Sequence, residues 1–313
     1  MLTIVSLFAY FVLNFALIES IILGIIISPT DPVSVIYTFK EMGVVHKFQR
    51  IVSGESLFND GVAIVFYSII ISIISLGTLT FLDIIRISSI AILGGVILGV
   101  LSGFAAHLLF RWTEDKYAKV LISFLVAFGV FRMAEGVGAS GILAVVTAGL
   151  IINYRLTKLG GLSEESLETL EVLWEFIGFA ASSIAFIFIG TNLVPAVFLS
   201  NVGPIILLYA FILLSRYAIV HGLAELLQIV RGKEIPKNWR MGIFWSGLRG
   251  AVSIVLVTGI GSVALPNSEA IIALTFGVVI ISNLVHGPTI PFIIKYLKIS
   301  AQDLSGPELD KID

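Results

Sequence analysis

Apolar residues fill this chain in blocks of roughly 20, the length a helix needs to cross the hydrocarbon core of a bilayer, and short polar stretches separate the blocks. The pattern predicts ten membrane spans, over residues 2–14, 15–40, 51–75, 83–110, 117–134, 137–153, 171–197, 202–230, 239–263 and 268–297. The polar stretch GLSEESLETLEV, around residues 160–171, reads as a short interfacial helix ahead of the seventh span. The tail AQDLSGPELDKID is too short for a regulatory domain, and no other stretch reads as a soluble domain. Residues 1–313 therefore read as one all-α polytopic membrane domain of about ten transmembrane helices.

Three of the blocks carry polar residues that lipid would not tolerate, since a charge at a helix centre costs roughly 2.5–3.5 kcal/mol on insertion scales. In the second span the interruption is Ser28-Pro29-Thr30-Asp31-Pro32. Pro29 cannot donate to the helix ladder, Pro32 suits the first position of a new helix, and Asp31, with Thr30 beside it, suits the N-cap. The span is expected to be two half-helices joined by unwound backbone, which is viable at membrane depth only when buried in protein or lining a cavity. In the third span, residues 54–61 read GESLFNDG. At 100° per residue, Glu55, Ser56, Asn59 and Asp60 share about 140° of one helix face, with Leu57 and Phe58 on the other side. A span that started later would leave this stretch in water, but the remaining IVFYSIIISIISL is barely long enough to cross. In the ninth span, WSGLRGAVS places Arg249 between glycines. Arg249 reads either as a helix-end residue snorkelling to the interface or as the counter-charge of Glu55, and the second is expected.

Composition agrees with the span pattern: 58% of residues are hydrophobic and 13% charged, against about 25% charged in soluble domains. Charge placement then orients the spans. With both ends of the chain in the cytoplasm, 15 of the 19 Lys and Arg fall on that side, only Arg86 and Arg132 on the other, and Arg216 and Arg249 inside spans, as the positive-inside rule asks. The first apolar run has no Lys or Arg ahead of it, so it lacks the basic start of a signal peptide and is expected to be a retained helix. The absence of cysteine excludes disulfides, thiol catalysis and cysteine-ligated zinc, and no basic block is present to hold nucleic acid.

Other polar positions suggest less. Gly138-Ala139-Ser140-Gly141 matches the serine motif of rhomboid-type intramembrane proteases, with His221 or His286 as a conceivable base. That reading leaves the GESLFND stripe without a role, and small residues in a span more often permit close helix packing. His107, His221 and His286 lie on different helices and read as packed or interfacial rather than as metal ligands. Glu135, Glu175, Glu225 and Arg216 read as half-buried. Arg216 needs a partner from another helix, because Glu225, nine residues on, is out of helix-neighbour reach.

TDPVSV, GESLFNDGVAIV and GLRGAV, in this order on the second, third and ninth spans, resemble the NhaP-type sodium/proton antiporters of the monovalent cation:proton antiporter-1 family. The resemblance covers essentially the whole chain. It implies an inverted-repeat antiporter fold in which two interrupted helices cross near the midplane, where transporters of this kind bind substrate. It implies that Asp60 binds the ion and the proton, that Asn59 is its neutral partner, and that Ser56, Thr30 and Asp31 are further oxygen donors or shape the site. A sodium ion would then be held at Asp60, Ser56 and Thr30, and Glu55 with Arg249 would form a structural ion pair. The implied activity is electroneutral exchange of Na+, or Li+ or K+, for H+ in pH and sodium homeostasis at the plasma membrane. No cofactor is implied. The implied partners are the cation, the proton and the lipid bilayer, with a homodimer if the family's N-terminal helices are present, and no nucleic acid. Members of the family have about thirteen spans and carry the TDP motif after some four of them; here it stands on the second. The first repeat is therefore expected to be incomplete, and a fragment unable to transport alone is the alternative.

Overall fold

Proline and glycine decide where an apolar block stops being one helix. The computed structural model describes residues 1–31, 33–76, 80–159, 163–192, 194–232, 235–260 and 265–299. Among them are fourteen α-helices and one π-helical turn. After α1 (Leu2–Phe11), the second block forms two helices, α2 (Leu17–Ile27) and α3 (Val33–Glu41), because Pro29 has no N–H with which to continue the ladder. Pro32, expected at the first position of α3, lies outside the described residues, as do the tail from residue 300 onward and residues 160–162. Helix α4 (His46–Leu76) starts five residues earlier than the expected span and so contains GESLFND. Ser56 is buried on it, while Leu57 and Phe58 are exposed.

Helix α5 (Phe81–Trp112) is followed by α6 (Lys116–Phe124), the π-helical turn Leu125–Val130 and α7 (Phe131–Gly136), which together make up the expected fifth span. Helix α8 (Gly141–Leu159) begins four residues later than expected. Gly138 takes a left-handed φ of 74° there, and the Ser140 hydroxyl accepts from Leu143 N at 3.3 Å to cap the new helix. The interfacial helix expected around residues 160–171 is not separate. From Glu164 it is the first two turns of α9 (Glu164–Asn192), where Glu164 and Glu165 favour the positive helix end and no proline interrupts. Then come α10 (Pro195–Ser200), α11 (Val202–Arg231), α12 (Lys237–Trp245), α13 (Ala251–Gly259) and α14 (Ser268–Leu297). The ninth block is therefore split as the second is. Six helical stretches among the described residues are long and apolar enough to cross a membrane, and the protein is an all-helical integral membrane protein.

The chain divides into two units, residues 1–63 with 181–313, and residues 64–180, the divisions falling within α4 and α9. In the first unit α14 is the central element, packed against α2, α3, α10, α11, α12 and α13. Its residues 273–279 are buried without a break, the mark of a helix enclosed on all sides. The buried carboxylate of Glu19 ties the two ends of this unit together. It accepts from Ala16 N at 3.2 Å at the start of α2, and from Asn267 N and Nδ2 at 2.9 and 2.8 Å at the start of α14.

In the second unit α5 lies against α8 along Gly94, Gly95, Gly99 and Gly103. At Gly99 a Cβ would stand 2.5 Å from both Ala144 O and Thr147 Cβ, so side chains there would push the helices apart. Replacing Gly99 with Val is expected to destabilise this unit by about 1–3 kcal/mol, the usual range for overpacking, read as a lower melting temperature in detergent. Gly149, with nothing within 4 Å of a built Cβ, should tolerate Ala with no loss.

Candidate functional site

The two interrupted helices of the first unit meet at their interruptions. Asp31 N donates to Leu248 O at 2.8 Å, so the unwound strands share a backbone hydrogen bond. The Asp31 side chain is buried. Its Oδ1 accepts from Val33 N at 2.9 Å, and the backbone N–H of Ala251 acts on the same carboxylate. One carboxylate thus faces the N-termini of two half-helices, α3 and α13, where anions are favoured. Position 250 is glycine because a Cβ there would overlap the Asp31 side chain.

Arginines meet the opposite ends. Arg249, 1% exposed, donates from Nη1 to Ser28 O and Pro29 O, both at 2.8 Å, covering carbonyls that α2 leaves free at its C-terminus. Its own backbone is pinned to α14, with N donating to Ser282 Oγ at 3.0 Å and O accepting from Asn283 Nδ2 at 2.7 Å. Arg216, buried on α11, serves α12 in the same way, through Nε to Phe244 O at 3.0 Å and Nη2 to Ile243 O at 2.7 Å. The same guanidinium makes a two-pronged bridge to Glu55 of α4, at 2.8 and 3.1 Å. Gly247 gives Arg216 the room to do so, since a Cβ there would overlap its side chain.

The expected pairing of Glu55 with Arg249 is therefore corrected. Glu55 is held by Arg216, the arginine whose partner the sequence left unnamed, and Arg249 is drawn to the carbonyls released by the neighbouring break. An arginine can satisfy several acceptors at once through its forked donors, so the two guanidiniums divide the carboxylate and two sets of carbonyls between them. Ser282 and Asn283, which hold Arg249, were not singled out by the sequence reading. Their signal was a pair of polar residues within the otherwise apolar run FGVVIISNLV.

Around Asp60 the expected residues do converge. Thr30 Oγ1 donates to Ser56 Oγ at 3.0 Å. Asn59 Nδ2 donates to Thr30 Oγ1 and to Glu55 Oε1, both at 3.4 Å. The backbone N–H of Thr30 and the charges of Asp31 and Arg249 all act on the half-buried Asp60. Among the described residues, Asp60 Oδ1 and Asp31 Oδ2 are buried oxygens without a hydrogen-bond partner, and so are Arg249 Nε and Nη2 among the donors. The Ser140 hydroxyl caps α8, and Nδ1 of His221 bonds to Tyr217 O at 3.0 Å. No hydrogen bond joins Ser140 to His221 or His286 among the described residues.

The chain matches the sodium/hydrogen exchanger, transmembrane, family model over residues 1–296. It is 31% identical over 293 residues to the low-affinity Na(+)/H(+) antiporter NhaS1 of Synechocystis sp., covering 92% of this chain and 54% of that protein. It is also 31% identical over 303 residues to the Na(+)/H(+) antiporter NhaH of Halobacillus aidingensis, covering 93% and 72%. The chain thus spans about half the length of several of the curated relatives it matches. In fold it superimposes on the sodium proton antiporter MjNhaP1 of Methanocaldococcus jannaschii with a TM-score of 0.76 at 19% identity, covering 95% of this chain and 75% of that one.

Breaking the Arg216 bridge leaves the Glu55 charge uncompensated and the end of α12 uncapped. Arg216→Met is expected to cost about 3–5 kcal/mol, as for other ion pairs that lose one buried partner, whereas Glu55→Gln with Arg216 intact should cost less because the guanidinium keeps its two carbonyls. Paired thermal melts of the two variants in detergent check the order.

Proposed function

The chain belongs to the transmembrane sodium/hydrogen exchanger family, and we propose that it exchanges a monovalent cation for a proton at Asp60. The observation that carries this reading is the buried Asp60 Oδ1 without a partner, placed beside the hydroxyls of Thr30 and Ser56 and within the field of Asp31 and Arg249. A hard cation takes several oxygen ligands. Asp60, Ser56, Thr30 and the free Oδ2 of Asp31 supply such a set, with Na+ as the cation of first choice.

Charge balance supports one-for-one exchange. The crossing holds three carboxylates, Asp31, Glu55 and Asp60, against two guanidiniums, Arg216 and Arg249. With all five ionised, one unit of negative charge is left over. One proton or one monovalent cation neutralises it, so the two loaded forms carry the same net charge and neither is favoured by a membrane potential. Asn59 preserves this balance: its amide donates to Thr30 and Glu55 and adds no titrating group. Charges of both signs, Asp31 and Arg249, act on Asp60, and such opposed influences are how one carboxylate can release either ligand. The excess of Lys and Arg on one side of the predicted spans supports cytoplasmic ends and a place in the cell membrane. Loaded forms cross by rocking of helix bundles around the site, the general scheme for transporters with discontinuous helices.

Reconstituted into vesicles bearing a pH gradient, the 313-residue chain is expected to dissipate that gradient when Na+ is added, and Asp60→Asn is expected to abolish the response. A folded, inserted chain that moves no protons with Na+, Li+ or K+ would sink the proposal for this chain. Lowering the pH should raise the apparent KM for sodium, because protons occupy the same carboxylate. Asn59→Asp, which adds a second titrating carboxylate, should make the exchange respond to an imposed membrane potential.

A further inference from the structure

The second unit carries a group of basic side chains that the exchange site does not use. At one end of the α5–α8 pair, the Arg155 guanidinium lies over the Phe104 ring, 4.5 Å from its centroid. Arg155 Nε is buried and without a partner among the described residues. His107, three residues along α5 from Phe104, is 2% exposed, and its Nδ1 is also buried without a partner. The charges of Arg155 and of Arg111, one turn further on, both act on His107. No carboxylate pairs with either arginine among the described residues; Glu165 is taken by Lys116 and Glu55 by Arg216. Asp115, close in sequence, is spent on Ala118 N at 2.7 Å as the cap of α6.

Two guanidiniums stand near a buried imidazole without an anion, and the buried donors of Arg155 and His107 are costly to leave unmade. Guanidinium forks match the oxygens of a phosphate, which accepts from several donors at once. The surroundings suit a lipid phosphate in particular. Ile97, Leu101, Phe104 and Leu108 form one exposed apolar stripe along α5 that leads directly to Arg111, and Trp112, 82% exposed, follows it. Tryptophan and arginine at the end of an apolar helix mark headgroup depth, and basic pockets between helix ends hold anionic headgroups.

We propose that Arg111, Arg155 and His107 form a binding site for the phosphate of an anionic phospholipid, with an acyl chain lying along the Ile97–Leu108 stripe. Arg155 is the central donor, held side-on by Phe104. Arg111 reaches the headgroup from the exposed side, and His107 Nδ1 contributes from below.

The test is lipid retention by the full chain, purified in micelles doped with phosphatidylglycerol or phosphatidylcholine and weighed by native mass spectrometry. The unaltered chain should retain phosphatidylglycerol in preference. The double variant R111A/R155A should lose that preference by roughly tenfold or more, as expected for two charges at a lipid headgroup. Arg132→Ala, an exposed arginine on α7, should leave it unchanged. Equal retention by the double variant and the unaltered chain would overturn the site. Should the double variant fail to fold, the same comparison with Arg111→Gln, at an exposed position, decides. Inorganic phosphate binding with the same arginine dependence, without a preference for phosphatidylglycerol, would overturn the lipid assignment and make free phosphate the ligand.

Discussion

Unwound backbone inside a membrane protein must find its hydrogen bonds within the protein, and the first unit is built around that requirement. Two helices break, and four helix ends are left facing one another. Asp31 faces both N-termini, accepting from Val33 N and lying within the influence of Ala251 N. Arg249 serves the C-terminus of α2 and Arg216 that of α12. The sign of each side chain matches the dipole of the end it meets. Remove any one of the three and carbonyls, N–H groups or a partner charge are stranded at a depth where water does not replace them.

This arrangement also surrounds the site proposed for exchange. Charges that satisfy the helix ends also act on Asp60, whose Oδ1 is buried without a partner among the described residues. The Glu55–Arg216 bridge connects the polar face of α4 to α11, and Asn59 links that bridge to Thr30. Helix α14 stays outside the site but fixes it, holding the backbone of Arg249 through Ser282 and Asn283. Stability and binding are thus parts of one network, and a variant at its centre would alter both.

Much of this was legible in the residues. Pro29, the carboxylate of Asp31 and the glycines around Arg249 announced two broken helices, because those residues are incompatible with an uninterrupted span. The spacing of Glu55, Ser56, Asn59 and Asp60 announced one polar face, and burial of Ser56 opposite exposed Leu57 and Phe58 agrees with it. Element limits were less legible. The polar stretch before the seventh span joined α9, since helix continuity depends on caps and on the absence of proline rather than on hydropathy. The role of Ser282 and Asn283 was hidden, because a polar pair in an apolar run does not say which backbone it holds.

By itself the sequence determined that the second span is interrupted at Pro29 and the ninth around Arg249, and that carboxylates and arginines must lie inside the membrane domain. Backbone chemistry and the cost of burying charge are local properties that residue identity carries. Which arginine answers which acceptor was decided only by the tertiary structure. Glu55 and Arg216 are 161 residues apart, so no periodicity relates them. Their meeting depends on the placement of α4 beside α11, and Arg249 turned instead to the carbonyls that the break in its neighbour had left without donors.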